Sequence, residues 1–224
     1  MWPAVCLHRR VRFGGQAVRT IVVASRKGGA GKTTLATALG VEAERVGAGP
    51  VGFVDMDPMQ GLAAWWDARA AQTPVLLRPD PDLETALATM REHAMALAIV
   101  DTAPSIDAGI HDIVAHADLV VIPVQPSPDD LRAVGSTVEL VTRAGKPLVF
   151  VVNRVKPRVR LTLETVVALS QHGPVATMQV ADRTAYASAK LDGLTAPETE
   201  PGGLASTEIA ALWTYLADRL EKSS

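Results

Sequence analysis

Apolar positions along the chain alternate between two patterns. Short runs that are almost continuously apolar, many of them β-branched, occur at 20–24, 51–55, 74–77, 96–100, 119–124 and 148–152. Each is bounded by Gly, Pro, Asp or Asn, as strands are. Between them apolar residues recur at three- and four-residue spacing. This predicts helices over 35–46, 60–72, 82–94, 107–117, from Asp129 or Asp130 to Arg143, over 161–171, around 183–190, and over 205–222. Asp82 suits an N-cap, and Gly145-Lys146-Pro147 suits a helix stop. A weaker strand is expected at 175–178, and a Gly/Pro-rich turn at 198–203. Strands that are apolar throughout are buried on both faces. The expected fold is therefore α/β, a single domain with a mostly parallel, twisted sheet flanked by helices. At 224 residues, with no repeat and no long linker, one domain over 20–224 accounts for the chain.

Composition narrows the choice. Residues 1–19 hold Arg9, Arg10, Arg12 and Arg19, no acidic residue, and Gly14-Gly15. They read as a disordered extension or a mis-assigned start, with a nucleic-acid-binding arm as the alternative. Val5-Cys6-Leu7 is too short for the apolar core of a secretory signal. A net charge of −2 predicts no global attraction to nucleic acid, so any basic surface must be local. The single cysteine, Cys6, excludes a disulfide framework, a Cys-based zinc site and a cysteine-ligated iron–sulfur cluster within one chain. No apolar run is long enough to cross a bilayer, and a cytoplasmic protein is expected.

Ligands of parallel sheets sit beyond the carboxyl ends of the strands. Four such ends here carry useful chemistry. The first strand runs into Lys27-Gly28-Gly29-Ala30-Gly31-Lys32-Thr33-Thr34 and then a helix, the context of a phosphate-binding loop. The glycines let successive N–H groups turn inward, Lys32 supplies a point charge for phosphates, and the Thr33 hydroxyl suits Mg²⁺. Arg26 stands where the usual motif has its first glycine, and Lys27 is a second lysine. Asp101, ending an apolar strand, is placed to hold Mg²⁺ beside Thr33. Asp55 and Asp57 are expected to divide their work, one facing the phosphates and orienting the attacking water, the other hydrogen-bonding elsewhere. Asn153 ends the 148–152 strand.

These segments, in this order, resemble the deviant Walker A ATPases of the ParA/MinD family. The resemblance runs from about residue 20 to the C-terminus. It implies a P-loop NTPase fold, ATP and Mg²⁺ as cofactors, and a homodimer that sandwiches ATP, with Lys27 crossing to the partner's phosphates. Asp55-Met56-Asp57-Pro58 resembles the family's D-x-D-P segment, in which Asp57 would position the catalytic water. Val100-Asp101-Thr102-Ala103-Pro104-Ser105 resembles its Walker B and switch II segment. Pro123 and Val124, within 122–128, and Asn153, within 151–154, resemble its adenine-side segments, Asn153 contacting the base. Catalytic roles thus fall to Lys27, Lys32 and Asp57, nucleotide binding to residues 27–34, Pro123, Val124 and Asn153, and metal binding to Thr33 and Asp101. One departure is Met59, where the family usually has Gln; Gln60 follows it.

With no N-terminal DNA-reading domain before Thr20, the chain is most similar to the small, ParF-like partition ATPases. The apolar stripe Ile209, Leu212, Trp213, Leu216 and Leu220 faces a mixed-charge side, which favours a core helix over a membrane anchor. Arg154, Lys156, Arg158 and Arg160 form a local basic run suited to non-specific, salt-dependent DNA contact, with Arg183 and Lys190 as additions. The expected function is partition of plasmid or chromosome DNA by a nucleoid-associated ATPase. Its weak hydrolysis to ADP and phosphate would be stimulated by a cargo-bound, ParB-like partner, with no membrane involved. The alternatives are positioning of a protein cargo such as an organelle or chemoreceptor cluster, a metabolic P-loop kinase or synthetase, and a nucleotide-gated switch with little turnover.

Overall fold

The computed structural model describes residues 18–78, 82–104, 108–157 and 159–222. Residues 1–17, Ser105, Asp107 and Arg158, on which some of the expectations fall, lie outside these. Six strands, β1 (Arg19–Val23), β2 (Val51–Met56), β3 (Val75–Leu77), β4 (Leu97–Thr102), β5 (Leu119–Val124) and β6 (Leu148–Val152), form one parallel sheet in the order β3-β2-β4-β1-β5-β6. The helices are α1 (Lys32–Arg45), α2 (Gly61–Asp67), α3 (Leu83–Glu92), α4 (Ala108–Ala115), α5 (Pro128–Arg143), α6 (Arg160–Ser170), α7 (Thr184–Lys190), α8 (Ala196–Thr199) and α9 (Leu204–Lys222).

The two-residue period of the strands feeds two cores. Ile21 and Val23 of β1 join Leu35 and Leu39 of α1, Leu62 and Trp65 of α2, and the α9 stripe on one face. Val22 and Ala24 point the other way, into Leu87 and Met90 of α3, Val114 of α4, Val141 of α5 and Leu169 of α6. All five stripe residues of α9 are buried, so that helix covers α1 and the sheet. Register fixes the site: Val23 lies level with Asp101, and Asp101 with Asp55. The ends of three strands therefore meet at one height beside the crevice where the strand order reverses.

Several elements differ from expectation. The helix expected over 60–72 ends at Asp67. Just beyond it, the buried Arg69 takes up acceptors outside the helix, at Thr73 O, Gly193 O and Glu198. Helix α5 starts one turn-residue earlier than expected: Pro128 is its first residue and Ser127 its cap, accepting the Asp130 N–H. The 175–178 segment is no strand. It meets β6 only through the isolated bridge Phe150–Val175, and a second bridge joins Val155 to Ala181. Helix α8 lies where only a turn is expected. The Glu198 carboxylate accepts from both the N–H and the hydroxyl of Thr195, and Thr-x-x-Glu is the sequence signal for that box.

Candidate nucleotide-binding site

The loop between β1 and α1 reverses the chain through left-handed conformations at Gly29 and Gly31 (φ +78° and +98°), which a side chain would strain. Gly31 caps α1 without a side-chain hydrogen bond, leaving the first-turn N–H groups open to an anion. A Cβ at Gly31 would also collide with Asn153 Nδ2. The loop is held from the β5–β6 side. Asn153 donates to Ala30 O at 2.7 Å, and Gln125 Nε2 donates to Gly29 O at 2.7 Å. The Arg26 N–H reaches Thr137 Oγ1 at 3.3 Å.

The two lysines differ. Lys32 is buried; desolvation holds its pKa below the ordinary lysine value, against the pull of Asp101 and Asp57. Lys27 is 40 % exposed, and its Nζ lies 3.9 Å from Asp130 Oδ2. Asp130 is buried and further held by the Gln125 N–H and the Ser127 hydroxyl.

On the other side, Thr33 Oγ1 donates to Asp101 Oδ2 at 2.5 Å. Asp101 is fully buried, and its Oδ1 has no hydrogen-bond partner among the described residues. Burial raises its pKa to about 7; the Thr33 hydrogen bond opposes the rise, and the nearby Asp55 charge adds to it. An orphaned carboxylate oxygen beside a hydroxyl fits a Mg²⁺ ion that takes its remaining ligands from phosphate and water. Thr33 and Asp101 would hold that ion, which would neutralise phosphate charge.

Asp55 and Asp57 have different partners. Asp55 accepts the N–H groups of Asp57 and Ala63, at 3.0 and 2.9 Å, and so fixes the start of α2. Asp57 is partly exposed, with one oxygen accepting the Met59 N–H at 2.9 Å. Met59 is 84 % exposed, and Gln60 takes a left-handed conformation (φ 50°).

The adenine-side and basic residues separate. Pro123 and Val124 lie inside β5 with buried side chains, and Val124 O accepts the Asn153 N–H. They support Asn153, whose own side-chain amide is engaged with the phosphate loop and with the Arg154 N–H. Arg154 and Lys156 are exposed at the end of β6, Arg154 with a left-handed backbone (φ 53°). Arg160 pairs with Glu164 along α6. Arg183 is turned away from this group: both Nε and Nη2 donate to Glu208 of α9. The braces at Gln125 and Asp130 carry no local sequence signal, because their partners in the loop are distant in the chain.

Residues 21–196 match the CobQ/CobB/MinD/ParA nucleotide binding domain. The chain belongs to that family. It is 35 % identical to the maintenance of carboxysome distribution protein A of Halothiobacillus neapolitanus, over 78 % of this chain and 85 % of the relative. It is 32 % identical to a protein ParA of Rhizobium radiobacter, over 54 % of this chain and 55 % of the relative. The septum site-determining protein MinD of Pyrococcus horikoshii, solved with Mg-ADP, shares the fold (TM-score 0.71, 16 % identity, 88 % of this chain and 94 % of that one). The chain thus carries the nucleotide-binding domain of a family that includes ParA/MinD-like positioning ATPases.

Proposed function

We propose that this ATPase positions a cargo by an ATP-gated monomer–dimer cycle on DNA. The observation that carries the reading is the pair of lysines in one loop. Lys32 is buried in the phosphate loop, whereas Lys27 is half-exposed, its ammonium held among the described residues only by a long contact to Asp130. In the dimer Lys27 reaches the partner's phosphates, while Asp57, with one oxygen free of the turn, orients the attacking water. Arg154, Lys156 and Arg158 supply the DNA contact, to phosphates and without sequence preference. Arg160 and Arg183 contribute less, since each is paired with a carboxylate. Hydrolysis to ADP and phosphate, slow alone and stimulated by a cargo-bound partner, resets the cycle.

Two cargoes fit. Plasmid or chromosome DNA follows from the likeness to ParA, and a protein organelle is favoured by the longer match to the carboxysome distribution protein. Sedimentation with Mg-ATP tests the cycle: the wild type should dimerise and Lys27→Ala should stay monomeric. Dimerisation of Lys27→Ala, with DNA binding intact, refutes the reading. Asp57→Ala should dimerise and bind DNA but release no phosphate. Deleting the gene in its host separates the cargoes, giving either plasmid or chromosome loss or clustered organelles.

A further inference from the structure

Among the described residues, three that are not glycine hold a left-handed backbone: Gln60, Ala94 and Arg154 (φ 50°, 52° and 53°). Such strain collects at functional sites. Ala94 follows the end of α3, away from the loop, and Arg154 is fixed by its N–H bond to Asn153 Oδ1. Gln60 has no such side-chain tie. Its N–H donates to Asp57 O at 2.8 Å and its carbonyl accepts the Ala64 N–H at 2.9 Å, so it is the residue at which the turn after β2 becomes α2. Glycine takes this conformation without strain, as Gly29 and Gly31 do. A long polar side chain stands here instead, and it caps nothing. Its carboxamide is exposed and has no hydrogen bond among the described residues.

The contacts around Gln60 set it beside the metal side of the site. Asp55 accepts the N–H groups of both Asp57 and Ala63, so the segment between them is tied at both ends to the end of β2. Asp55 is level with Asp101 in the sheet. A Cβ on Gly61, the residue after Gln60, would lie 3.6 Å from Thr33 Oγ1, the hydroxyl bonded to Asp101. Gln60 is thus held between Asp57 and Thr33, and a glutamine carboxamide reaches about 5 Å from its Cα. We propose that Gln60 is a further catalytic residue for hydrolysis. Its carboxamide oxygen accepts a hydrogen bond from the attacking water, and its amide donates to an oxygen of the γ-phosphate. Gln60 itself takes up no proton. The water oxygen bonds the γ-phosphorus as the bond to the bridging oxygen breaks. ADP leaves with that electron pair, and one proton of the water passes to the released phosphate. A loose transition state asks mainly for such positioning. The inference rests on ATP hydrolysis at this site, with Asp57 beside the same water.

The test follows single-turnover phosphate release from Mg-ATP by the full chain, comparing wild type, Gln60→Gly, Gln60→Asn and, as control, Met59→Ala in the same turn. Gln60→Gly keeps the backbone and removes only the carboxamide. Its melting temperature should equal or exceed the wild type's, and its Mg-ATP affinity should not change. Its phosphate release should slow about tenfold or more, the scale of a lost transition-state hydrogen bond. Gln60→Asn tolerates the same backbone but is one carbon shorter, and should be slow as well. Met59→Ala should match the wild type. Mg-ADP with aluminium fluoride, a stand-in for the transferring phosphoryl group, reads the same contact without turnover. Gln60→Gly should hold it about tenfold less tightly while binding Mg-ADP alone as the wild type does. Where wild-type release is too slow to follow, this second measurement decides. Either wild-type release or wild-type fluoroaluminate retention in Gln60→Gly overturns the inference. So does a slowing matched by lost ATP affinity or a lower melting temperature, which marks a structural turn residue. Asp57→Ala, run alongside, separates the two readings. If it too releases phosphate at the wild-type rate, the hydrolytic assignment of this strand end fails; a slow Asp57→Ala with a fast Gln60→Gly removes Gln60 alone.

Discussion

Asp101→Asn should make the nucleotide-free protein more stable while disabling its metal site. Asp101 is fully buried, and its carboxyl titrates near 7 in place of 3.8. Below about pH 4 the carboxyl is protonated in both folded and unfolded chains and costs nothing. As pH rises from there towards 7, the unfolded chain releases its proton and the folded chain keeps it. Stability is lost across that window and stays lost above it. A rise from 3.8 to about 7 corresponds to roughly 4 kcal/mol at pH 8, an upper figure because an amide in the same place also loses its hydration. Asparagine removes the titration and can still accept the Thr33 hydroxyl. The expected gain at pH 8 is therefore a few kcal/mol, or up to about 10 °C in melting temperature for a domain of this size. At pH 5 the gain should fall to less than half of its value at pH 8, and it should continue to fall below pH 4. Thermal unfolding in EDTA without nucleotide, at pH 5 and pH 8, measures it. Adding Mg-ATP should reverse the order, because only the wild type gains from the ion. A variant less stable than wild type at pH 8, or one whose gain does not depend on pH, would refute the assignment of Asp101 as the buried, uncompensated ligand.

Three further substitutions test the scaffold. Ala94 holds a left-handed conformation (φ 52°) at the end of α3, where its N–H bonds Arg91 O and the Met95 N–H bonds Met90 O. Ala94→Gly should raise stability by about 1 kcal/mol in urea unfolding, since this helix end favours glycine. Arg69, buried between Glu198, Thr73 O and Gly193 O and stacked 5.2 Å from the Trp65 ring, ties α2 to α8. Arg69→Met should cost about 3 kcal/mol by the same measurement, because it leaves Glu198 without its cation. Thr165 buries a hydroxyl that has no partner among the described residues. Thr165→Val should keep the packing and stabilise by about 1 kcal/mol, and a clear loss would indicate a hydrogen bond to an ordered water.

The strands were legible because a parallel strand buried on both faces is apolar at every position, and the six runs contain little else. Helix ends were less so, since tertiary partners decided them. Arg69 ends α2 by drawing on acceptors from Thr73 and from the segment beyond α7, and no periodicity in 60–72 reports that. Helix α8 had a local signal in Thr195 and Glu198, but its four residues are too few to show a helical period. The site followed the same division. The 27–34 loop and Asp101 are contiguous with the strands that carry them and could be read locally. The Asn153 bond to Ala30 and the Gln125 bond to Gly29 join strand ends that only the sheet order brings together.

That division bears on why one loop carries two lysines. The carbonyls of Gly29 and Ala30 are clamped by side chains from beyond β5 and β6, and Lys32 is buried behind them. The phosphate cradle is thus fixed before any ligand arrives, so little of the binding energy is consumed in ordering it. Lys27 lies just outside the clamped carbonyls. Its pair with the buried Asp130 is long, at 3.9 Å, and open to solvent on the lysine side, so it contributes about 1 kcal/mol and is weakened by salt. A charge-assisted contact to a phosphate is worth more than that, about 1.5–3 kcal/mol. Lys27 can therefore leave Asp130 for a phosphate without disturbing the cradle. A rigid lysine and a releasable one, a few residues apart, suit the proposed cycle, in which the loop binds nucleotide in one chain and reports that binding to another.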